Sequence, residues 1–150
     1  MTINHINIVV TSMEASLDFY VGLLGMRETF RCELEGDWID TVTGLSGARA
    51  SCVFVQPSGG GCRIELLQYH MPAGENVVNN SLPNTGGLRH FALDVQDLDG
   101  TVKKLEAAGT TIFSAPVRVP FRIVENIQKR LCYTLDPDGV IVEISQHQRD

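Results

Sequence analysis

The chain carries one pattern twice. His5-Ile6-Asn7-Ile8-Val9-Val10 opens the first half and leads through Ser12 into a helix-like run ending at Gly25. His90-Phe91-Ala92-Leu93-Asp94-Val95 opens the second and leads through Asp97 into a run ending at Gly109. Each half closes on a second matched segment, Cys62-Arg63-Ile64-Glu65-Leu66-Leu67-Gln68 and Val140-Ile141-Val142-Glu143-Ile144-Ser145-Gln146. The fold must therefore accommodate two copies of one supersecondary unit. Each copy opens with a histidine on an apolar strand and closes with a glutamate on one, which points to a single shared site.

Local chemistry gives the order of elements. Residues 3–10 alternate and are rich in β-branched side chains, which reads as a strand. Ser12 is a good N-cap, Ala15, Phe19 and Leu23 recur at helical spacing, and Gly25 suits the left-handed C-cap position. Strands are expected over Arg27–Leu34, Ala50–Gln56 and Cys62–Gln68, with Glu35–Gly47 as a loop holding one helical turn. Tyr69–Gly86 has no clean periodicity and reads as the linker; its Asn79-Asn80-Ser81 carries little weight as a glycosylation acceptor. The second half repeats the order, with a strand at Leu88–Val95, a helix at Leu98–Ala108 and strands at Leu131–Leu135 and Val140–Ser145. Pro116 and Pro120 mark an edge or irregular stretch, and Asp136-Pro137-Asp138-Gly139 is the strongest turn signal. The expected fold class is α+β, two tandem β-α-β-β-β modules (1–68 and 87–150, linker 69–86) in one 150-residue domain, forming a curved eight-stranded cup around a metal site.

Alternation along the strands assigns the faces. Ile6, Ile8 and Val10 form an apolar set that must lie under the helix, so His5, Asn7 and Val9 face the other way. Phe91, Leu93 and Val95 repeat the apolar set, and His90, Ala92 and Asp94 the polar one. Glu65 and Glu143 each stand between apolar neighbours, where an ionised carboxylate needs a partner. Two imidazoles and two carboxylates suit a borderline divalent ion: Zn, Ni, Co, Mn or Fe(II). His5, Glu65, His90 and Glu143 are thus the expected metal ligands, with Glu143 and Glu65 also available as proton carriers beside a metal-polarised carbonyl. Each residue taken alone has a blander reading, a half-buried strand histidine or an edge carboxylate; the matched set of four favours ligation. Asn7 and Arg63 share faces with the ligands, and Trp38, Tyr69 and Tyr133 lie where substrate walls are expected. His70 and His147 read as loop and tail residues, with His147 on the Glu143 face. Arg118, Arg122 and Arg130 read as solvated surface arginines, with contact to an anionic substrate from the irregular Pro116–Gln128 loop as the alternative.

These segments, together with Ser16-Leu17-Asp18-Phe19-Tyr20 and Leu23-Leu24-Gly25-Met26, resemble the vicinal oxygen chelate superfamily of glyoxalases, epimerases, extradiol dioxygenases and bleomycin-resistance proteins. The resemblance spans essentially the whole chain. It implies paired modules, a cupped active site, a homodimer and a ligand quartet on His5, Glu65, His90 and Glu143. The complete quartet favours glyoxalase-like lyase, isomerase or epimerase chemistry on a small carbonyl substrate. The alternatives are an Fe(II) extradiol-type dioxygenase, which uses two histidines and one carboxylate, and a small-molecule (antibiotic) binding resistance protein. The glutathione-dependent glyoxalase carries an arginine four residues after its first histidine; here that position is Val9, so a substrate without glutathione is expected.

Composition excludes other classes. A net charge of −6 argues against nucleic-acid and anionic-membrane surfaces. No apolar run is long enough to span a bilayer, and the N-terminus shows no secretion signal, so a cytoplasmic protein is expected. The 4 cysteines show no C-x-x-C spacing and read as reduced thiols.

Overall fold

The structure is a computed structural model, and it describes residues 1–75, 80–122 and 124–149. Asn76 and Asn79 of the connecting segment lie outside the described residues. Residue contacts divide the chain into two compact units, Met1–Val78 and Asn79–Asp150.

The first unit contains β1 (His5–Val9), α1 (Met13–Leu17), β2 (Arg27–Glu35), α2 (Asp37–Thr43), β3 (Arg49–Gln56) and β4 (Arg63–Met71). Its sheet runs β1-β4-β3-β2, with β1 parallel to β4 and the other pairs antiparallel. Ser12 caps α1, its Oγ accepting the Ala15 N–H at 3.2 Å. The helix then widens into π-helical turns over Asp18–Leu23, where a regular α-helix to Gly25 was expected. The wider turn coincides with burial of two consecutive aromatics, Phe19 and Tyr20. Gly25 ends the run at φ +71°, as its position suggests.

The helical face of the sheet is the core of this unit. Ile8, Val10, Ile64, Leu66, Val53 and Val55 are buried there, and α1 packs on β4. The apolar set on β1 thus points to the helix side, while His5, Asn7 and Val9 remain exposed. The segment expected as a loop, Glu35–Gly47, contains the seven-residue α2. Local chemistry explains this correction. Gly44 provides a left-handed C-cap, Ile39 is a buried anchor, and the Asp40 carboxylate takes the Gly47 and Ala48 N–H groups at 2.7 Å each. One aspartate thereby holds the returning chain against the helix. β4 also runs on to Met71, past Gln68, because β3 extends to Arg49 and pairs with it.

The second unit contains β5 (His90–Asp94), α3 (Leu98–Ala107), β6 (Val117–Arg118), β7 (Ile127–Leu135) and β8 (Ile141–Arg149). Its sheet runs β5-β8-β7-β6, again with the opening strand parallel to the closing one. Asp97 caps α3 by accepting the Gly100 N–H at 2.9 Å, and Leu98, Val102 and Leu105 bury its inner face. β6 is a two-residue edge strand, as its flanking prolines dictate. β7 and β8 are both longer than expected. Among the described residues, no helix is long and apolar enough to cross a membrane.

The β7–β8 turn is built on Asp136, which is buried. Its Oδ1 accepts the N–H groups of Asp138 at 3.0 Å and Val140 at 2.7 Å. Replacement by alanine leaves two backbone donors unpaired. Asp136→Ala is expected to destabilise the protein by about 1–3 kcal/mol, measured by urea unfolding, while Asp136→Asn should cost less because its amide oxygen still accepts.

Candidate functional site

The two halves place their histidine and glutamate by the same register. His5 lies opposite Arg63, two residues before Glu65. His90 lies opposite Ile141, two residues before Glu143. In the first unit His5 Nε2 is 3.6 Å from Glu65 Oε2. In the second, His90 Nε2 is 3.5 Å from Glu143 Oε2. Each unit therefore brings its own predicted pair together, on the face opposite its helix.

A third residue repeats with them. Phe54 on β3 pairs with Glu65, and Tyr133 on β7 pairs with Glu143. The His5 and Phe54 rings meet edge to face at 5.4 Å, and the His90 and Tyr133 rings lie tilted by 37° at 5.1 Å. Behind them, Phe30 packs on Phe54 and Phe113 on Tyr133. The sequence reading singled out Tyr133 but passed over Phe54, whose repeat shows only once the strands are in register.

The polar surroundings differ between the halves. In the first, the Asn7 amide donates to Glu65 Oε2 at 3.1 Å, and the Cys52 thiol lies 3.8 Å from Oε1. Burial, with Glu65 and Cys32 beside it, pushes the Cys52 thiol up to about 12, so it stays protonated and can donate. His5 is oriented from behind. Its Nδ1–H donates to Asn4 Oδ1 at 2.9 Å, and Arg63 donates to the same oxygen at 2.6 Å. The Arg63 guanidinium also covers the Phe54 ring at 4.5 Å. Asn4 fixes the tautomer and leaves Nε2 directed at Glu65, the outer support expected of a ligand histidine.

In the second half, Ala92 occupies the place of Asn7 and offers no donor. The Glu143 carboxylate is nonetheless the more deeply buried, its side chain 6% exposed against 18% for Glu65. Its partner is Lys129, whose Nζ donates to Glu143 Oε1 at 2.5 Å. Lys129 is four residues before Tyr133 on β7, and the matching residue before Phe54 is Ala50. Sequence reasoning missed Lys129 because Gln128-Lys129-Arg130 reads as a solvated stretch.

The remaining candidates are placed as follows. His147 lies on β8 rather than in a tail, and its Nδ1–H donates to Asp94 Oδ1 at 2.9 Å, beside the Ser145 hydroxyl at 2.5 Å from the same oxygen. Tyr69 and His70 are part of β4, on opposite faces. His70 Nε2 is 2.8 Å from Ser51 Oγ, which donates to Glu33 at 3.0 Å. A cavity of about 240 Å³ is lined there by Glu33, Leu34, Glu35, Arg49 and His70. Glu33 engages the serine and not the imidazole, so this trio lacks the oriented base of a hydrolytic triad. Trp38 stands exposed on α2 and joins neither cluster. Arg130 makes a bidentate pair with Asp99 at 2.8 Å, which confirms it as a surface residue and lowers the Asp99 carboxyl.

The donor chemistry fits a divalent ion. Each histidine–glutamate pair presents one nitrogen and one oxygen at a separation near the roughly 3.4 Å that two ligands of a tetrahedral ion would span. In the first half the free Nε2 and a carboxylate oxygen face each other, an arrangement that a cation between them resolves. Among the described residues, however, no three histidine, cysteine, aspartate or glutamate side chains are grouped closely enough to hold a metal ion.

All 4 cysteines are free thiols; Cys52 and Cys132 are buried, and Cys32 and Cys62 are half-buried. Native protein at pH 8 is expected to alkylate at Cys32 and Cys62 well before Cys52 and Cys132, read by peptide mass spectrometry; equal rates would contradict the burial beside Glu65.

Comparison with known proteins shows the family and the fold. The family model described as the Glyoxalase/Bleomycin resistance protein/Dioxygenase superfamily matches residues 2–144. The chain is 30% identical over 146 residues to the uncharacterized protein YwkD of Bacillus subtilis (strain 168), covering 95% of this chain and 94% of that one. It is 28% identical over 142 residues to the uncharacterized protein YaeR of Escherichia coli (strain K12), covering 95% and 93%. The crystal structure of a glyoxalase family protein from Bacillus cereus matches with a TM-score of 0.85 at 24% identity, over 98% of this chain and 94% of that one, a likeness of fold.

Proposed function

The chain belongs to the Glyoxalase/Bleomycin resistance protein/Dioxygenase superfamily, and within it we propose a metal-dependent lyase, isomerase or epimerase acting on a small carbonyl compound with a neighbouring oxygen. The observation that carries this reading is the repeated pairing of a histidine with a glutamate, His5 with Glu65 and His90 with Glu143. We assign these four residues as divalent-metal ligands, for Zn, Ni, Co, Mn or Fe. Such an ion supplies Lewis acidity toward two neighbouring substrate oxygens.

The chain's own groups account for the rest. Glu143 and Glu65 are the proton carriers, each with one oxygen toward its histidine and the other toward a separate donor. A carboxylate that loosens from one of these partners can take a proton from carbon beside a carbonyl and return it. Asn4 and Arg63 keep His5 in one tautomer. Phe54 and Tyr133 flank the histidines with apolar surface, which excludes water from a developing enediolate. We take Asn7 and Tyr133, which lie beside Glu65 and Glu143, as the polar groups that contact a substrate. Val9, in place of an arginine, leaves no clamp for a peptide carboxylate, which supports a substrate other than a glutathione adduct.

A second reading has its own support. Lys129 neutralises Glu143 without any metal, which suits a protein that binds a small molecule and does no chemistry. Metal analysis separates the two. The enzyme reading expects about one divalent ion per chain, lost in the Glu65→Gln and Glu143→Gln variants. It also expects the metal-loaded protein to exchange the α-proton of α-hydroxycarbonyl compounds in heavy water, with Glu143→Gln slower by roughly 10²–10⁴-fold. Absence of stoichiometric metal, with exchange unchanged in the variant, defeats the enzyme reading. Iron-dependent oxygen uptake with a catechol would instead assign a dioxygenase.

A further inference from the structure

Lys129 occupies one oxygen of a proposed metal ligand, and its position has no counterpart in the other half. Its ammonium is 2.5 Å from Glu143 Oε1, while His90 Nε2 faces Oε2 of the same carboxylate at 3.5 Å. Both partners are withdrawn from water, with side-chain exposures of 16% and 6%. In the first half the same carboxylate position is served by neutral donors, the Asn7 amide and the Cys52 thiol. The matching β3 position is Ala50. An amide or a thiol beside a carboxylate leaves its charge available to a cation. A half-buried ammonium in contact with it does not, since it already compensates that charge and repels a second cation at short range.

We propose that Lys129 is a built-in cationic rival of the divalent ion at Glu143. It compensates the carboxylate when metal is absent and must be displaced, or tolerated as a like charge, when metal binds. The residue thereby sets the metal affinity of the second half below what its histidine and glutamate would give alone. The inference rests on the assignment of Glu143 as a metal ligand.

The test measures metal binding without any substrate. Chelator-treated wild-type, Lys129→Met, Lys129→Gln, Lys129→Arg and Glu143→Gln proteins are titrated with Zn²⁺ and Mn²⁺ against a chromophoric chelator, and each is melted with and without metal. Lys129→Met should bind at least tenfold more tightly than wild type. Its metal-free form should melt lower, because Glu143 is left buried and unpaired, and metal should raise its Tm by more than in wild type. Lys129→Gln keeps the hydrogen bond without the charge and should also bind more tightly, even where the methionine variant folds poorly. Lys129→Arg keeps the charge and should bind like wild type. If Glu143→Gln weakens metal binding while neither Lys129→Met nor Lys129→Gln tightens it, the rivalry is overturned and the metal reading stands. If Glu143→Gln binds metal as wild type does, the ligand assignment fails and the inference fails with it.

Discussion

The parallel pairing of an opening strand with a closing strand, at one fixed offset, is the constraint on which the rest depends. In both units the histidine lies opposite the residue two places before the glutamate. Because side chains alternate, that offset puts both functional groups on one face and the apolar residues between them on the other. A slip of one residue would turn Ile64, Leu66, Val142 and Ile144 outward and bury the charged set. The hydrophobic cost of that slip holds the site in place. Burial of Ile8 and Val10 under the helical layer thus positions His5 without any contact to it.

A buried carboxylate also has to be reconciled with its surroundings. Glu143 lies among Val142, Ile144 and Ser145, all fully buried, and an unpaired charge there would be costly. The first half meets a milder form of the same demand with neutral donors, because Glu65 is more exposed. The second half, with Ala92 where Asn7 would stand, draws a cation from β7 instead. One register, repeated twice, therefore carries two different electrostatic solutions.

Much of this was legible in the sequence. Period-two alternation in Ile6-Asn7-Ile8 and Phe91-Ala92-Leu93 gave the buried face, and the matched His and Glu gave the pairs that each sheet brings together. The turn at Asp136 followed from its residues alone. What could not be read was whatever depends on register between strands that are distant in sequence. Phe54 and Tyr133 become equivalent only when β3 is laid beside β4 and β7 beside β8. Lys129 reaches Glu143 from a strand position directly opposite His147, a diagonal that no one-dimensional pattern shows. α2 was missed for another reason. Its stability comes from the Asp40 side chain binding backbone seven and eight residues on, and its single buried residue, Ile39, leaves almost no periodic signal.

The duplication is thus kept in its strand order and pairing and broken in its charges. Around Glu65 the direct donors are neutral, and the Arg63 cation on the same face is engaged by Asn4 and the Phe54 ring instead. Around Glu143 the lysine compensates the carboxylate directly. A cation at the first pair meets Nε2 and a carboxylate oxygen that face each other, with the imidazole already held by Asn4. At the second pair it meets a carboxylate whose charge is already answered. Copies of one module need not share one binding strength, and here the difference comes down to two positions: asparagine or alanine beside the glutamate on the opening strand, and alanine or lysine four residues before the aromatic.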